Sequence, residues 1–339
     1  NVDTHTYLFL DQVLQQPSNP PGFPSTWNSS IEGSQRSEYE MDPEVVGPLY
    51  SEAEVKTGLR SLPTVCLTTK VDDLFGSDNG IYINAQQRGD AWEREISMEF
   101  FDFPHGKDLQ VDTGLRMNGN FSRSKIQPKH NMRVVFREDY GPSRLEFELF
   151  EEGKVTRFNS LILRGLSGDS WAHARYPHAQ YIRDQWFRDA YESMGYEGIH
   201  QREIQLYING LYWGMYHIFE RVEDDSMAER FGGEEEDWEV IKDGSNSSVL
   251  SVDGGTARWD ALMDIILAGN LSEPGPYLAL QEYLDLDAFI DYLLLNFHAG
   301  NTDWDQNNVR AMRRINPPGK YMWFCHDAER AGLNSLTSA

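Results

Sequence analysis

Residues 301–308, NTDWDQNN, crowd two aspartates and three asparagines into eight positions. Oxygen-bearing side chains at that density can chelate a hard cation, shape a turn or move a proton. Asp303, Asp305 and Asn307 occupy positions 1, 3 and 5 of an EF-hand-like calcium loop. Such a loop requires Gly at position 6 and a bidentate Glu at position 12, where this chain has Asn308 and Arg314. A cation at position 12 repels the ion it should chelate, so the EF-hand reading fails.

A second pattern survives. Asp303 and Asn308 have the D-x-x-x-x-N spacing of a phosphoryl-transfer catalytic loop. An apolar helical stretch, 286–298, runs into Gly300 just before them, and the strand-like YMWF then leads to Asp327, 24 residues beyond Asp303. Phosphoryl transfer needs a carboxylate to orient and deprotonate the attacking hydroxyl, and oxygen ligands for the Mg²⁺ that neutralises the phosphates. Asp303 suits the first task, and Asn308 with Asp327 the second. The chemistry also wants a lysine upstream on a strand, and Lys129 in QPKHNMRVVFR begins one. Spacing alone leaves an ordinary surface lysine as the other reading of Lys129.

The elements that must hold these residues fall into two halves. Residues 1–60, rich in Pro, Ser, Gly and charge, read as an extended lead-in. Strand-like segments follow in LPTVCLTT, REISMEFF, GLRMNG, NMRVVFR, RLEFELF and FNSLILRG. HAQYIRDQWFRDAYESM, 178–194, is the first convincing helix, with Ile182, Trp186, Ala190 and Ser193 on one face and Gly195 as its stop. REIQLYING and YWGMYHIFE read as a hairpin about Asn209–Gly210. Beyond the acidic loop GGEEEDWE come the helical RWDALMDIILAG and LDAFIDYLLLNFHAG. The expectation is a strand-rich part over 61–220 with one main helix, then a mostly helical part over 221–339.

The chain has 339 residues, 40% hydrophobic, with a net charge of −24. That charge argues against wrapping nucleic acid or lying on an anionic membrane, and it favours basic protein partners. No run reaches the roughly 18 apolar residues of a membrane span. With no leader or initiator Met, the chain reads as excised from something longer. Cys66 and Cys325, far apart, read as buried free thiols. His298 and His326 flank the loop without a metal-binding spacing and read as packed or hydrogen-bonded.

Several stretches taken together are similar to the CotH kinase family, the atypical kinases typified by spore coat protein H. They are GLRMNGNFSRSKIQPKHNMRVVFREDYG, YIRDQWFRDAYESMG, LYINGLYWGMYHIFERVED and NTDWDQNN…FCHDAERAG, in that order. The lead-in SLPTVCLTTKVDDLFGSDNGIYIN resembles that of the larger secreted bacterial members. The resemblance implies an α+β, atypical protein-kinase-like two-lobed fold, with a strand-rich N-lobe and a mostly helical C-lobe. It implies transfer of phosphate from ATP, with Mg²⁺ or Mn²⁺, to Ser or Thr of a protein substrate, and an exported or cell-surface bacterial protein.

By position, the resemblance makes Lys129 the phosphate-binding lysine, Asp303 the catalytic aspartate, and Asn308 and Asp327 metal ligands. Glu220 falls where the chain crosses between lobes beside the nucleotide. The chain departs from the family in two places. The usual Asp-x-Asp ending is here Asp327-Ala328-Glu329, so Glu329 is a longer-reaching ligand candidate. No G-x-G-x-x-G loop is present, and Gly119 with Ser122 and Arg123 is the replacement phosphate site. The carboxylate partner of Lys129 stays open: the resemblance points to Asp184, whereas helical geometry puts Asp189 on the apolar face. Two other functions remain open, a catalytically silent kinase-like binding module and a hydrolase using Asp303 and Asp327 as a carboxylate pair.

Overall fold

Seven strands pair edge to edge and close into a ring in the computed structural model, which describes residues 4–29, 33–103, 108–150, 155–171, 179–243 and 249–332. They are β1 (Thr64–Thr68), β2 (Arg94–Phe101), β3 (Leu109–Met117), β4 (Met132–Val135), β5 (Ser160–Arg164), β6 (Gln201–Ile208) and β7 (Leu211–Glu220). Around the ring the order is β6-β7-β5-β4-β3-β2-β1, and β1 returns to β6. The closing contact is parallel, Gln205 against Thr64 through Ile208 against Leu67. All the others are antiparallel. Each antiparallel contact reverses strand direction, so a ring of seven can close only with an odd number of parallel contacts.

Period-two alternation sends one set of side chains inward. Val65 and Leu67, Ile96 and Met98, and Ile204 and Leu206 are buried in the barrel core. Cys66 and Tyr207 point outward and are buried there under Val13 and Leu59. The cover comes from the segment expected as an extended lead-in. Its helix Glu52–Arg60 starts at a capping box in which Ser51 and Glu54 satisfy each other's backbone N–H groups. Upstream, Phe23, Trp27 and Tyr39 gather on Trp213 of β7, with ring centroids 6.3, 6.4 and 5.9 Å away. The Asn209–Gly210 hairpin forms as expected, both residues at positive φ.

By internal contacts the chain divides into two compact units, Asn1–Pro177 with His200–Glu220, and His178–Ile199 with Arg221–Ala339. The second contains α1 (Arg183–Ser193), α2 (Asp224–Phe231), α3 (Ala257–Leu267), α4 (Pro274–Gln281) and α5 (Leu286–His298). It also contains β8 (Trp238–Asp243), β9 (Val249–Asp253), β10 (Arg310–Arg314) and β11 (Met322–Trp323), an antiparallel sheet in the order β9-β8-β10-β11. Phe187 and Tyr191 of α1, Tyr292 and Leu295 of α5, and Ile241 and Trp323 of the sheet share its core.

These elements overturn the expected fold class. A closed mixed barrel stands where a strand-rich kinase N-lobe was expected, and the second unit is not a mostly helical C-lobe. The missed strands hide their pattern behind charged residues that are buried in pairs. Glu239 of β8 is fully buried, accepts from the Tyr321 hydroxyl and pairs with Arg258 at 3.0 Å. Arg313 of β10 lies 4.3 Å from the Tyr283 ring centroid. Both cysteines are free and buried, as expected. No described helix is long and apolar enough to cross a membrane.

Trp213 ties the upstream segment to the barrel, so truncating it tests that packing directly. Trp213→Ala should lower unfolding free energy by about 3–5 kcal/mol in urea titration. A loss under about 1 kcal/mol would mean that the aromatic cluster does not hold the segment down.

Candidate active site

Of the buried residues of α5, Tyr292, Leu295 and Asn296, the last carries an amide. A buried amide must find partners, and these partners fix the loop beyond the helix. Asn296 Nδ2 donates to the Tyr292 carbonyl at 2.9 Å, within the helix. Its Oδ1 accepts from Asn301 Nδ2 at 3.2 Å, and Asn301 Oδ1 in turn accepts from the Asp303 N–H at 3.4 Å. Gly300, at φ +57°, lets the chain leave the helix in the left-handed conformation. Trp304 Nε1 donates to the Tyr292 hydroxyl at 2.9 Å, a second tether from loop to helix. Asn301, read as a shaper of the turn, does that work here.

The three residues of the proposed phosphoryl-transfer motif meet at Asn308. Its Nδ2 lies 3.3 Å from Asp303 Oδ2, 3.2 Å from the Asp303 carbonyl and 3.3 Å from the Asp327 carbonyl. Asn308 and Asp327 both sit in the left-handed region, at φ +64° and +58°. Asn and Asp tolerate that region better than other side chains, still at a cost of about 1–2 kcal/mol. Asp303 is about one-third exposed and stands 4.0 Å from Arg330. Glu329 is buried two residues beyond Asp327.

The oxygen set can be tested against Mg²⁺. With the Asn308 amide nitrogen spent on these oxygens, its Oδ1 is the atom left for a cation. Among the described residues no group of three or more His, Cys, Asp or Glu forms a metal cage. Mg²⁺ is typically held by one or two carboxylates, water and substrate phosphates, not by an all-protein cage. The Asn308 carboxamide beside the Asp303 carboxylate fits that requirement.

Two supports were not anticipated from sequence. Asp243, at the end of β8, accepts from Val309 N–H at 3.1 Å and fixes the residue after Asn308. Asp184, on α1, accepts from Ala328 N–H at 2.8 Å and pairs with Arg188 at 2.7 Å. The helix-face reading of α1 is reversed. Arg183, Asp184, Phe187, Arg188 and Tyr191 are its buried residues. Ile182 and Trp186 are about half exposed, and Asp189 is exposed and bonded to Gln185. His326 is packed in, and burial with the nearby Arg310 guanidinium pushes its imidazole down to about 3, so it stays neutral. His298 is exposed.

In the barrel unit, Lys129 lies beside the backbone of Gly214 on β7. A methyl group added at Gly214 would fall 2.1 Å from the Lys129 Nζ, and Gly214 also has φ +121°. The backbone on both sides of the lysine is pinned. The Tyr82 hydroxyl donates to the Pro128 carbonyl at 2.7 Å and accepts from His130 N–H at 3.1 Å. The Tyr216 hydroxyl donates to the His130 carbonyl at 3.2 Å. Loss of hydration pushes the Lys129 ammonium down to about 8. Among the described residues it makes no ion pair.

The remaining candidates are otherwise engaged. The Ser122 hydroxyl donates to the Asn118 carbonyl at 2.6 Å. Arg123 donates to the carbonyls of Gly119 at 2.7 Å, Ala85 at 3.0 Å, Gln87 at 2.7 Å and Met117. These donors brace their own loop and tie it to the 85–87 segment. Glu220, the last residue of the barrel unit, is buried and accepts from the backbone N–H of His200 at 2.8 Å and from its ring Nδ1 at 2.9 Å. That carboxylate staples β7 to the start of β6.

The family model described as CotH kinase protein matches residues 115–331, more than half of the chain. The match takes in Lys129, Asp184, Asp303, Asn308 and Asp327. No curated protein matches.

The amide relay from α5 to the loop makes its own prediction. Asn301→Ala leaves Asn296 Oδ1 without its donor, and should lower stability by about 1–3 kcal/mol while speeding exchange of the Asp303 amide. Unchanged exchange at Asp303 would show that the loop holds its shape without the relay.

Proposed function

The chain belongs to the CotH kinase protein family, and from that premise we propose that it is an atypical protein kinase using Mg²⁺ and ATP to phosphorylate Ser or Thr. The observation that carries the reading is the meeting of Asp303, Asn308 and Asp327 within 3.2–3.3 Å hydrogen bonds on a braced loop. Asp303 orients the substrate hydroxyl and takes its proton as the new O–P bond forms. The bond from the γ-phosphorus to the bridging oxygen breaks, and ADP leaves with that oxygen. Asn308 Oδ1 and the Asp327 carboxylate hold the metal, with Glu329 as a further oxygen donor. Bound Mg²⁺ supplies neutralisation of the phosphate charge. Lys129 contacts the phosphates as a point charge on an immobile backbone. The net charge of −24 suits a basic segment of a protein substrate.

ATP with Mg²⁺ should raise the melting temperature, with a smaller gain for Asp327→Ala. Asp303→Ala should keep that gain and lose about 10²–10⁴-fold in phosphate transfer to a basic, Ser-rich protein. Full residual transfer in Asp303→Ala would remove the aspartate from its role.

Lys129 gives a pH test with two opposite signs. It is charged below about 8, so nucleotide affinity should weaken as pH rises through that value, where an ordinary lysine would hold to 10.5. The unfolded chain keeps this proton to the ordinary value, so between about 8 and 10.5 the group's contribution to stability increases with pH. Lys129→Met should raise the melting temperature of the free protein at pH 7 and abolish both dependences. Nucleotide affinity in the wild type that stays flat from pH 7 to 10 would exclude the lysine from phosphate binding.

A further inference from the structure

The peptide joining Asp327 to Ala328 is gripped at both of its polar atoms. Its carbonyl accepts from Asn308 Nδ2 at 3.3 Å, and its N–H donates to Asp184 Oδ1 at 2.8 Å. The second oxygen of Asp184 meets Arg188 Nη2 at 2.7 Å, one helical turn along α1, and both side chains are about 1% exposed. Arg188 in turn donates to the Ile199 carbonyl at 3.3 Å. A guanidinium buried this deeply needs its carboxylate, so Asp184 is held in one rotamer. The carboxylate therefore reaches the 327–328 peptide from a fixed point.

That peptide needs holding. Asp327 is at φ +58°, a conformation that persists where its surroundings over-determine it. Release of the Ala328 N–H would leave one grip, and rotation toward the common backbone region would move the Asp327 carbonyl off Asn308 Nδ2.

We propose that Asp184 is a positioning residue that fixes the metal-binding Asp327 through the Ala328 N–H. The metal arm of this proposal rests on the kinase reading; the backbone arm does not. Asp184→Asn keeps an oxygen for Ala328 but loses the charge facing Arg188, and Asp184→Ala loses both.

Amide exchange of the free protein comes first. The Ala328 amide should exchange slowly in the wild type, and at least about tenfold faster in Asp184→Ala, with Asp184→Asn between. Metal titration at saturating ATP comes second. Half-saturating Mg²⁺ should rise about tenfold in Asp184→Ala, the usual scale for losing a group that orients a metal ligand. ATP binding in EDTA should stay unchanged in the same variant.

A lysine partner would behave the other way: metal-free ATP binding would fall, as in Lys129→Met, and the Mg²⁺ midpoint would not move. That pattern overturns the proposal. A fast Ala328 amide in the wild type overturns it too, and needs no variant that folds. Should the wild type bind no Mg²⁺–ATP at all, the kinase reading falls, and the exchange arm still decides whether Asp184 holds the peptide.

Discussion

A polar atom removed from water must find a partner inside the protein, and this constraint shapes the loop end of the second unit. One satisfied hydrogen bond adds only about 1 kcal/mol net, whereas an orphaned buried group costs about 1–3 and an orphaned buried charge about 3–5. The asymmetry makes such networks more specifying than stabilising. Asn296 inside α5 commits Asn301, and Asn301 commits the Asp303 amide. Arg188 commits Asp184, and Asp184 commits Ala328. Asn308 joins the two chains of dependence, since it touches both Asp303 and Asp327. The loop and the segment at Asp327 are thereby fixed by buried groups lying one layer behind the residues proposed to act.

Local features were readable in the sequence. The turn at Asn209–Gly210 follows from turn chemistry, and a helix was expected where 183–193 forms one, although with the wrong face inward. The D-x-x-x-x-N spacing put Asp303 and Asn308 side by side, because five residues of loop can bring both ends of the motif together. Three things were not readable. Ring closure pairs Thr64 with Gln205, a contact that no local pattern encodes. Strands β8 and β10 carry Glu239 and Arg313 at buried positions, so their alternation is invisible until the partners are known. On α1 the charged residues are inside and Ile182 and Trp186 outside, because Asp184 and Arg188 neutralise each other. A hydrophobic-face argument fails wherever a buried ion pair occupies the face.

Some of the departures from local rules fall on residues proposed to act. Asn308 and Asp327 occupy left-handed backbone, and Lys129 keeps an ammonium in a site that lowers its proton affinity. Such violations mark function only when the structure leaves them uncompensated. Arg123 is also pushed down, to about 10, and so is Arg310. Yet Arg123 donates to four backbone carbonyls and Arg310 to the Val222 carbonyl, so both are braces. Lys129 differs because its surroundings fix its backbone and, among the described residues, offer its charge no ion-pair partner.

The parallel seam of the barrel has a consequence during synthesis. β1 emerges from the ribosome before its second neighbour, β6, which is encoded about 140 residues later, on the order of ten seconds at typical elongation rates. For that interval the nascent chain carries an apolar strand, TVCLT, with one bare edge, the kind of segment that recruits other chains. The flanking residues are suited to the hazard: Pro63 removes a backbone donor just before the strand, and Lys70 places a charge shortly after it. Both act as gatekeepers of an edge that the finished barrel no longer exposes.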